Sequence, residues 1–112
     1  MNKTTVEFIR EKKIDSIYKL NLLLFLYRNP NVQGTSRCFA KKLYLGDIGL
    51  VEKVVAELAN EGVINHSDQH YFLAKTPEIV TPLQHLAHAY EYPLSRQALL
   101  KQIQAGGQLE KH

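Results

Sequence analysis

The sequence predicts an α+β fold that is mainly helical, in which a pair of short helices is followed by a β-hairpin. The helices are expected over 35–44 and about 48–60, because both segments repeat apolar residues at helical spacing. The hairpin is expected over 63–74, where a polar tip at 65–70 separates two short apolar stretches. Further helices are expected on both sides of this segment.

The amino-terminal part is expected to contain the central helix of the fold. Residues from about 5 to 28 have a helical pattern, with a break near 13–16. Asp15 or Ser16 can cap a helix whose body, 17–27, is apolar around most of its circumference. A helix of this kind packs against the rest of the protein on two sides.

Each helix of the pair has a distinct apolar face. In the first helix this face is Phe39, Ala40 and Leu43. Its other face carries the cations Arg37, Lys41 and Lys42. In the second helix the core stripe is Val51, Val54, Val55 and Leu58. Gly62 stands where a left-handed residue is expected to end this second helix.

Two helices are expected after the hairpin. Start signals at Thr76-Pro77-Glu78 and at Thr81-Pro82 place the beginning of the first one at either position, and it runs to Tyr92. Ser95 is expected to cap the last helix, in which Leu99 and Ile103 share a face.

The chain is expected to form a single domain over 1–105, since 112 residues suit one hydrophobic core. We place the core of the domain at about 17–75, the C-terminal helices at about 77–104, and a flexible tail at 106–112. There is no apolar run long enough to cross a membrane and no signal-peptide pattern. The single cysteine suits a reducing compartment, so a cytoplasmic location is expected.

The positive charge is concentrated in the first part of the chain. Residues 1–46 carry nine Lys and Arg against three acids, and residues 47–112 carry five against eight. Such a distribution favours contact between the amino-terminal part and phosphates, with the acidic part facing away. The alternative is that the basic residues only solvate helix faces.

Residues 39–64 resemble a known family. Phe39-Ala40-x-x-Leu43-x-Leu45, followed by Val51-x-x-x-Val55-x-x-Leu58-x-x-x-Gly62-Val63-Ile64, is similar to the core signature of small prokaryotic winged helix-turn-helix transcriptional regulators. The resemblance covers about 17–75, and the segment 71–74 is similar to the second strand of the wing. It implies a winged helix-turn-helix with a three-helix core, a β-hairpin wing, and additional N- and C-terminal helices.

The resemblance implies a small DNA-binding transcriptional regulator that acts as a homodimer through the helices from Thr81 to Gln104. In such regulators the second helix of the pair, here 48–60, enters the major groove of double-stranded DNA, and the first helix holds phosphates. The DNA-binding residues implied here are Thr35, Ser36, Arg37, Lys41, Lys42, Ile48, Gly49, Glu52, Lys53, His66, Gln69 and His70.

The sequence departs from the usual pattern of these regulators in two places. Asp47 and Glu52 are acids where polar or basic residues are usual, and the tip 65–70 contains no Lys or Arg. These departures favour an alternative, a winged-helix module for protein–protein contact without sequence-specific DNA binding. In that case Ile48 would be an apolar anchor for the partner. A third alternative is a regulator with an effector pocket between the wing and the last helices.

Other chemistry has little support in the sequence. The pairs His85/His88 and His66/His70 each offer two metal ligands, but no Cys or acid completes a zinc set, so neither metal nor cofactor is expected. Cys38 lies next to Arg37 and near Lys41 and Lys42, and these cations would make it an oxidation sensor next to DNA, although a half-buried packing role is expected. No catalytic motif is present, and an enzyme is not expected.

Overall fold

The computed structural model describes residues 3–43 and 46–110, with side chains up to residue 105. Over these residues the fold is α+β and mainly helical, with six helices and one antiparallel hairpin, an order compatible with a winged helix. The elements are α1 (Lys3–Glu11), α2 (Ile17–Arg28), α3 (Ser36–Lys42), α4 (Ile48–Asn60), β1 (Ile64–Ser67), β2 (His70–Leu73), α5 (Pro77–Glu91) and α6 (Pro93–Glu110). Residues 44 and 45, which belong to the predicted first helix and turn, lie outside the described residues.

Helix α2 is the central helix, as predicted from its apolar circumference. It contacts α4, β2 and α5, which surround it on several sides. Its leucines at 20, 22, 23, 24 and 26 are all buried. The helix begins behind Ser16, whose hydroxyl oxygen accepts a hydrogen bond from the Lys19 backbone N–H at 3.2 Å. The predicted break before it is confirmed, and Lys13 in that break has a φ of 54°.

Lys19 is a buried lysine on the apolar helix α2, with only 4% of its surface exposed. Its Nζ donates hydrogen bonds to the backbone oxygen of Lys13 at 2.9 Å and to Asp15 Oδ1 at 2.8 Å. A third contact, at 3.0 Å, joins Nζ to Glu57 Oε2 on α4. The three protons of the ammonium group therefore have three acceptors, and they tie the α1–α2 connection to α4.

The charge on Lys19 is stabilised by its partners. Burial by itself would lower the pKa of Lys19, but the hydrogen bonds and negative charges of Asp15 and Glu57 outweigh burial and raise the pKa above its ordinary value of 10.5. A group whose pKa is higher in the folded state stabilises that state below its unfolded-state pKa. This stabilisation is therefore present at neutral pH and is lost as the pH rises through the folded-state pKa.

Helix α4 ends in a well-defined turn that leads into the hairpin. Its predicted core stripe is confirmed, since Val51, Val54, Val55 and Leu58 are the buried residues of the helix. Gly62 has a φ of 75°, as expected for a left-handed helix stop. The N–H of Gly62 donates to Ala59 O, and the N–H of Val63 donates to Leu58 O, both at 3.1 Å. This pair of bonds defines a Schellman motif.

The hairpin has longer strands than the sequence predicts. Ile64 pairs with Leu73 at its base and Ser67 with His70 at its end, so the turn consists of residues 68 and 69 alone. The prediction of a tip over 65–70 is therefore wrong. Strand pairing depends on backbone hydrogen bonds, and exposed polar side chains are compatible with it where both faces of the ribbon meet solvent.

Helix α5 begins at the earlier of its two expected starts, and helix α6 begins before its one expected start. Helix α5 begins at Pro77, the first of its two predicted starts, although the Thr76 side chain makes no capping hydrogen bond. Helix α6 begins at Pro93 instead of behind Ser95, because proline is favourable at the first helical position. Its residues 99 and 103 are buried, as predicted.

The corner between α5 and α6 is held by Arg96. Its Nε donates to the backbone oxygen of Tyr90 at 2.6 Å, and its guanidinium carbon lies 4.8 Å from the centre of the Tyr90 ring. Helix α6 extends to Glu110 and so includes residues 106–110, where the sequence predicts a tail. The flexibility of 106–112 stays a prediction, and residues 111 and 112 lie outside the described residues.

The first testable consequence concerns the buried ammonium group. Lys19→Ala should lower the free energy of unfolding by about 3 kcal/mol, because it removes three hydrogen bonds and the positive charge beside Asp15 and Glu57. Urea denaturation measures this change. Lys3→Ala is the control, since Lys3 lies 4.0 Å from Glu7 with both side chains exposed, and its removal should change stability very little. Equal stability of the two variants would contradict the role given to Lys19.

Candidate functional site

A groove of about 680 Å³ lies between the start of α3, the first turns of α4 and the β1–β2 hairpin. We call it the α3–α4–hairpin groove. Its lining residues are Thr35, Ser36, Arg37, Ile48, Glu52, His66, Asp68, Gln69 and Tyr71. Seven of the twelve residues that the sequence assigns to DNA binding are therefore brought together in one concave site.

A backbone bridge places the hairpin beside α3. The N–H of Gly34 donates to Tyr71 O at 3.1 Å, and the N–H of Tyr71 donates to Gly34 O at 2.7 Å. Gly34 is buried, and a Cβ at this position would lie 3.0 Å from Cε1 of Phe39, a fully buried ring. The lack of space beside Gly34 therefore favours glycine, which allows the segment just before α3 to pair with β2.

Capping residues set the starts of the two helices that form the groove. The Thr35 hydroxyl oxygen accepts from the Cys38 N–H at 3.1 Å, and Asp47 Oδ1 accepts from the Leu50 N–H at 3.1 Å. Asp47 is therefore a capping residue, which explains an acid at a position where DNA-binding helices usually carry a polar or basic one. Behind these caps, Arg37 and Ile48 follow on the groove side.

The hairpin contributes one of its two faces to the groove. His66 is paired with Tyr71 across the strands, and their rings stack with centroids 5.4 Å apart. His70 pairs with Ser67, so it lies on the opposite face from His66 and is not part of the groove. Asp68, in the turn, has a φ of 58° and also lines the groove.

The charge inside the groove is mixed. Arg37 is balanced there by Glu52 and Asp68. The other predicted cations, Lys41, Lys42 and Lys53, are exposed but do not line the groove. Since Lys41 lies four residues after Arg37, it occupies the same stripe of α3, one turn further from the groove.

Three of the other basic residues of the amino-terminal half have partners at or near the C-terminal end of α4. Lys12 Nζ donates to the backbone oxygen of Glu61 at 3.3 Å, and Lys13 Nζ lies 3.7 Å from Glu61 Oε1. Together with Lys19 they contact residues 57–61 at the C-terminal end of α4, which lies about 12–18 Å along that helix from Glu52 and Ile48 in the groove. The charge asymmetry of the sequence therefore does not translate into one basic face.

The histidine and cysteine candidates take ordinary positions. Within the described residues there is no group of three or more His, Cys, Asp or Glu that could hold a metal ion. His88 contacts the ring of Tyr92 edge to face, with centroids 5.0 Å apart. Cys38 is exposed, so the expectation that it is half-buried is wrong. Its side chain lies on the solvent side of α3 because Phe39 and Ala40 take the buried side.

Asp68 and Tyr71 are groove residues that sequence reasoning did not assign to the site. The place of Tyr71 opposite His66 depends on the strand register. A two-residue turn sets that register, and the sequence has no Asn-Gly or Asp-Gly pair there that would predict it. Gly49, although exposed on α4, is also outside the groove lining.

No protein-family description, curated protein or solved structure matches the chain. Over residues 3–43 and 46–110, no helix is both long and apolar enough to span a membrane. The geometry of the groove and of the cations around it is therefore the basis for assigning a function.

The bridge between α3 and the hairpin can be tested by adding one methyl group. Gly34→Ala should lower the free energy of unfolding by about 1–3 kcal/mol, because its Cβ would press on the buried Phe39 ring. Thermal and urea denaturation measure the loss. Gly46→Ala is the matched control, since a Cβ there meets no atom of the described residues within 4 Å. If Gly34→Ala is as stable as that control, the close approach is not a constraint on the fold.

Proposed function

We propose that this protein is a small winged-helix regulator that binds double-stranded DNA in the cytoplasm. In this proposal α2, α3 and α4 are the three-helix core, and β1 and β2 form the wing. Helix α4 would enter the major groove, because a helix of about 10–12 Å diameter matches a groove about 12 Å wide. The start of α3 and the wing would then lie against the backbone on either side.

The observation that carries the proposal is which cations have acidic or carbonyl partners within the fold and which do not. Among the described residues, no carboxylate forms an ion pair with Arg37, Lys41, Lys42 or Lys53, all of them exposed. Arg37 lines the groove, and the three lysines lie outside its lining on the same two helices, α3 and α4. By contrast, the basic residues near the C-terminal end of α4 have acidic or carbonyl partners within the fold. Phosphates are the ligands that suit the available set.

The same residues set the expected strength of binding. Four phosphate contacts would give a slope of about −3 to −4 in a plot of log affinity against log salt concentration. Glu52 and Asp68 oppose this attraction from inside the groove. Binding to random duplex DNA should therefore be weak at physiological salt and clear at low salt.

A homodimer through the helices from Thr81 to Gln104 is part of the proposal. At the corner between α5 and α6, Leu94 is 82% exposed and Tyr92 is 53% exposed. Apolar side chains exposed to this extent next to each other favour burial against another protein surface. Two copies would present two α4 helices to half-sites about one helical turn of DNA apart.

The second candidate function is a winged-helix module that binds a protein and does not read DNA sequence. Two observations favour it: the groove contains two acids against one arginine, and Ile48 exposes 37% of its surface there. An apolar anchor within a partly acidic groove suits a basic protein segment. In that case substitution of Ile48 would weaken partner binding more than substitution of the lysines.

Fluorescence anisotropy with random duplex DNA at low and moderate salt separates the two candidates. Lys41→Ala/Lys42→Ala should weaken binding several-fold and flatten the salt dependence, because each lost phosphate contact reduces the slope by about 0.9. Lys3→Ala/Lys75→Ala removes the same charge from two exposed positions outside the groove and outside the proposed dimer helices, and this matched control is expected to bind nearly as wild type. An absence of binding by the wild type at low salt would contradict the DNA proposal and favour the protein-binding one.

A further inference from the structure

Helix α4 presents an apolar side chain and an acidic side chain to the groove one helical turn apart. Ile48 and Glu52 are four residues apart, both are exposed, and both line the groove. Residues at this spacing lie on the same stripe of a helix. If α4 enters the major groove of DNA, as proposed above, these two side chains face the edges of the bases.

The carboxylate of Glu52 is available to a ligand. The neighbouring acid, Asp47, is occupied because its Oδ1 accepts the capping hydrogen bond from the Leu50 N–H. Glu52 forms no ion pair with the described residues, although Arg37 lines the same groove. An ionised carboxylate only accepts hydrogen bonds, so it seeks a donor on the ligand.

Gly49 lies on the same turn of α4 but outside the groove lining. A Cβ at position 49 would lie 3.3 Å from Asp47 Oδ1, the oxygen that caps the helix, and would crowd it. Glycine therefore leaves room for the cap, although it lowers helix stability relative to alanine.

The pattern of hydrogen-bond donors in the major groove indicates which base would donate a hydrogen bond to Glu52. Cytosine offers the N4 amino donor there, without an adjacent acceptor of its own. Guanine offers two acceptors, and adenine places its N7 acceptor beside its amino group, so both repel a carboxylate. Thymine offers a methyl group, which suits the aliphatic side chain of Ile48.

We infer that α4 selects two nearby pyrimidines, a cytosine and a thymine. Glu52 accepts a hydrogen bond from cytosine N4, and Ile48 packs on the thymine methyl group. This inference rests on the DNA binding proposed above. Four residues of helix rise about 6 Å, and successive bases of one strand are about 3.4 Å apart. The cytosine and the thymine therefore lie within about two base steps of each other. Phosphate contacts by the lysines hold the helix in place but do not select the sequence.

Selection of bound duplexes from a random library, followed by competition anisotropy, tests the inference. The selected site should contain a C·G pair whose exchange for G·C weakens wild-type binding about 5- to 100-fold. Glu52→Gln should reduce this discrimination and shift the preference towards adenine, because an amide pairs with both N6 and N7 of that base. Its affinity for random duplex DNA should rise, because the substitution removes a negative charge that repels phosphates.

Glu11→Gln is the matched control, because it makes the same charge change on α1, outside the groove and the proposed dimer helices, and should keep the wild-type preference. If Glu52→Gln instead raises the affinity for all duplexes equally and leaves the selected sequence unchanged, Glu52 only repels phosphates. That result overturns the inference and leaves DNA binding intact. If the wild type binds no duplex at low salt, the proposed function fails, and the inference fails with it.

Discussion

The ammonium group of Lys19 fixes the position of α4 against the central helix, and the groove depends on that position. A buried charge is stable only if its hydrogen-bonding capacity is satisfied, and here the acceptors come from the α1–α2 connection and from Glu57 on α4. The contact with Glu57 holds α4 near its C-terminal end, and the other two hold the α1–α2 connection. Its first turns form one wall of the groove, so a rotation of α4 would move Ile48 and Glu52 relative to the wing.

The positive charges near the two ends of α4 have different surroundings. Near the C-terminal end the cations are neutralised within the fold, as in the contact between Lys13 and Glu61. Near the N-terminal end, Arg37 and Lys53 remain exposed while Glu52 and Asp68 lower the net charge of the groove. In the proposed complex this arrangement limits attraction to DNA in general. It also makes binding depend more on contacts that recognise the base, because a carboxylate that faces a base without a hydrogen-bond donor is repelled by it.

Much of the fold follows from periodicity, and this part could be predicted from the sequence. The core stripe of α4 and its end at Gly62 repeat at helical spacing and carry a known stop signal. The burial of Lys19 could not be predicted, because its acceptors include a backbone oxygen and a residue 38 positions away. Likewise, seven predicted site residues meet in the groove, but the place of Tyr71 depends on strand register and on the bridge to Gly34.

The central claim is that DNA contacts the protein through the α3–α4–hairpin groove and the cations beside it. Titration of ¹⁵N-labelled protein with a random duplex at low salt, followed by amide chemical shifts, measures this directly. The proposal predicts that the largest changes fall in residues 34–42, 48–53 and 66–71, while 12–19 and 57–61 stay nearly unchanged. Changes centred on 12–19 and 57–61, or no changes at all, would contradict it.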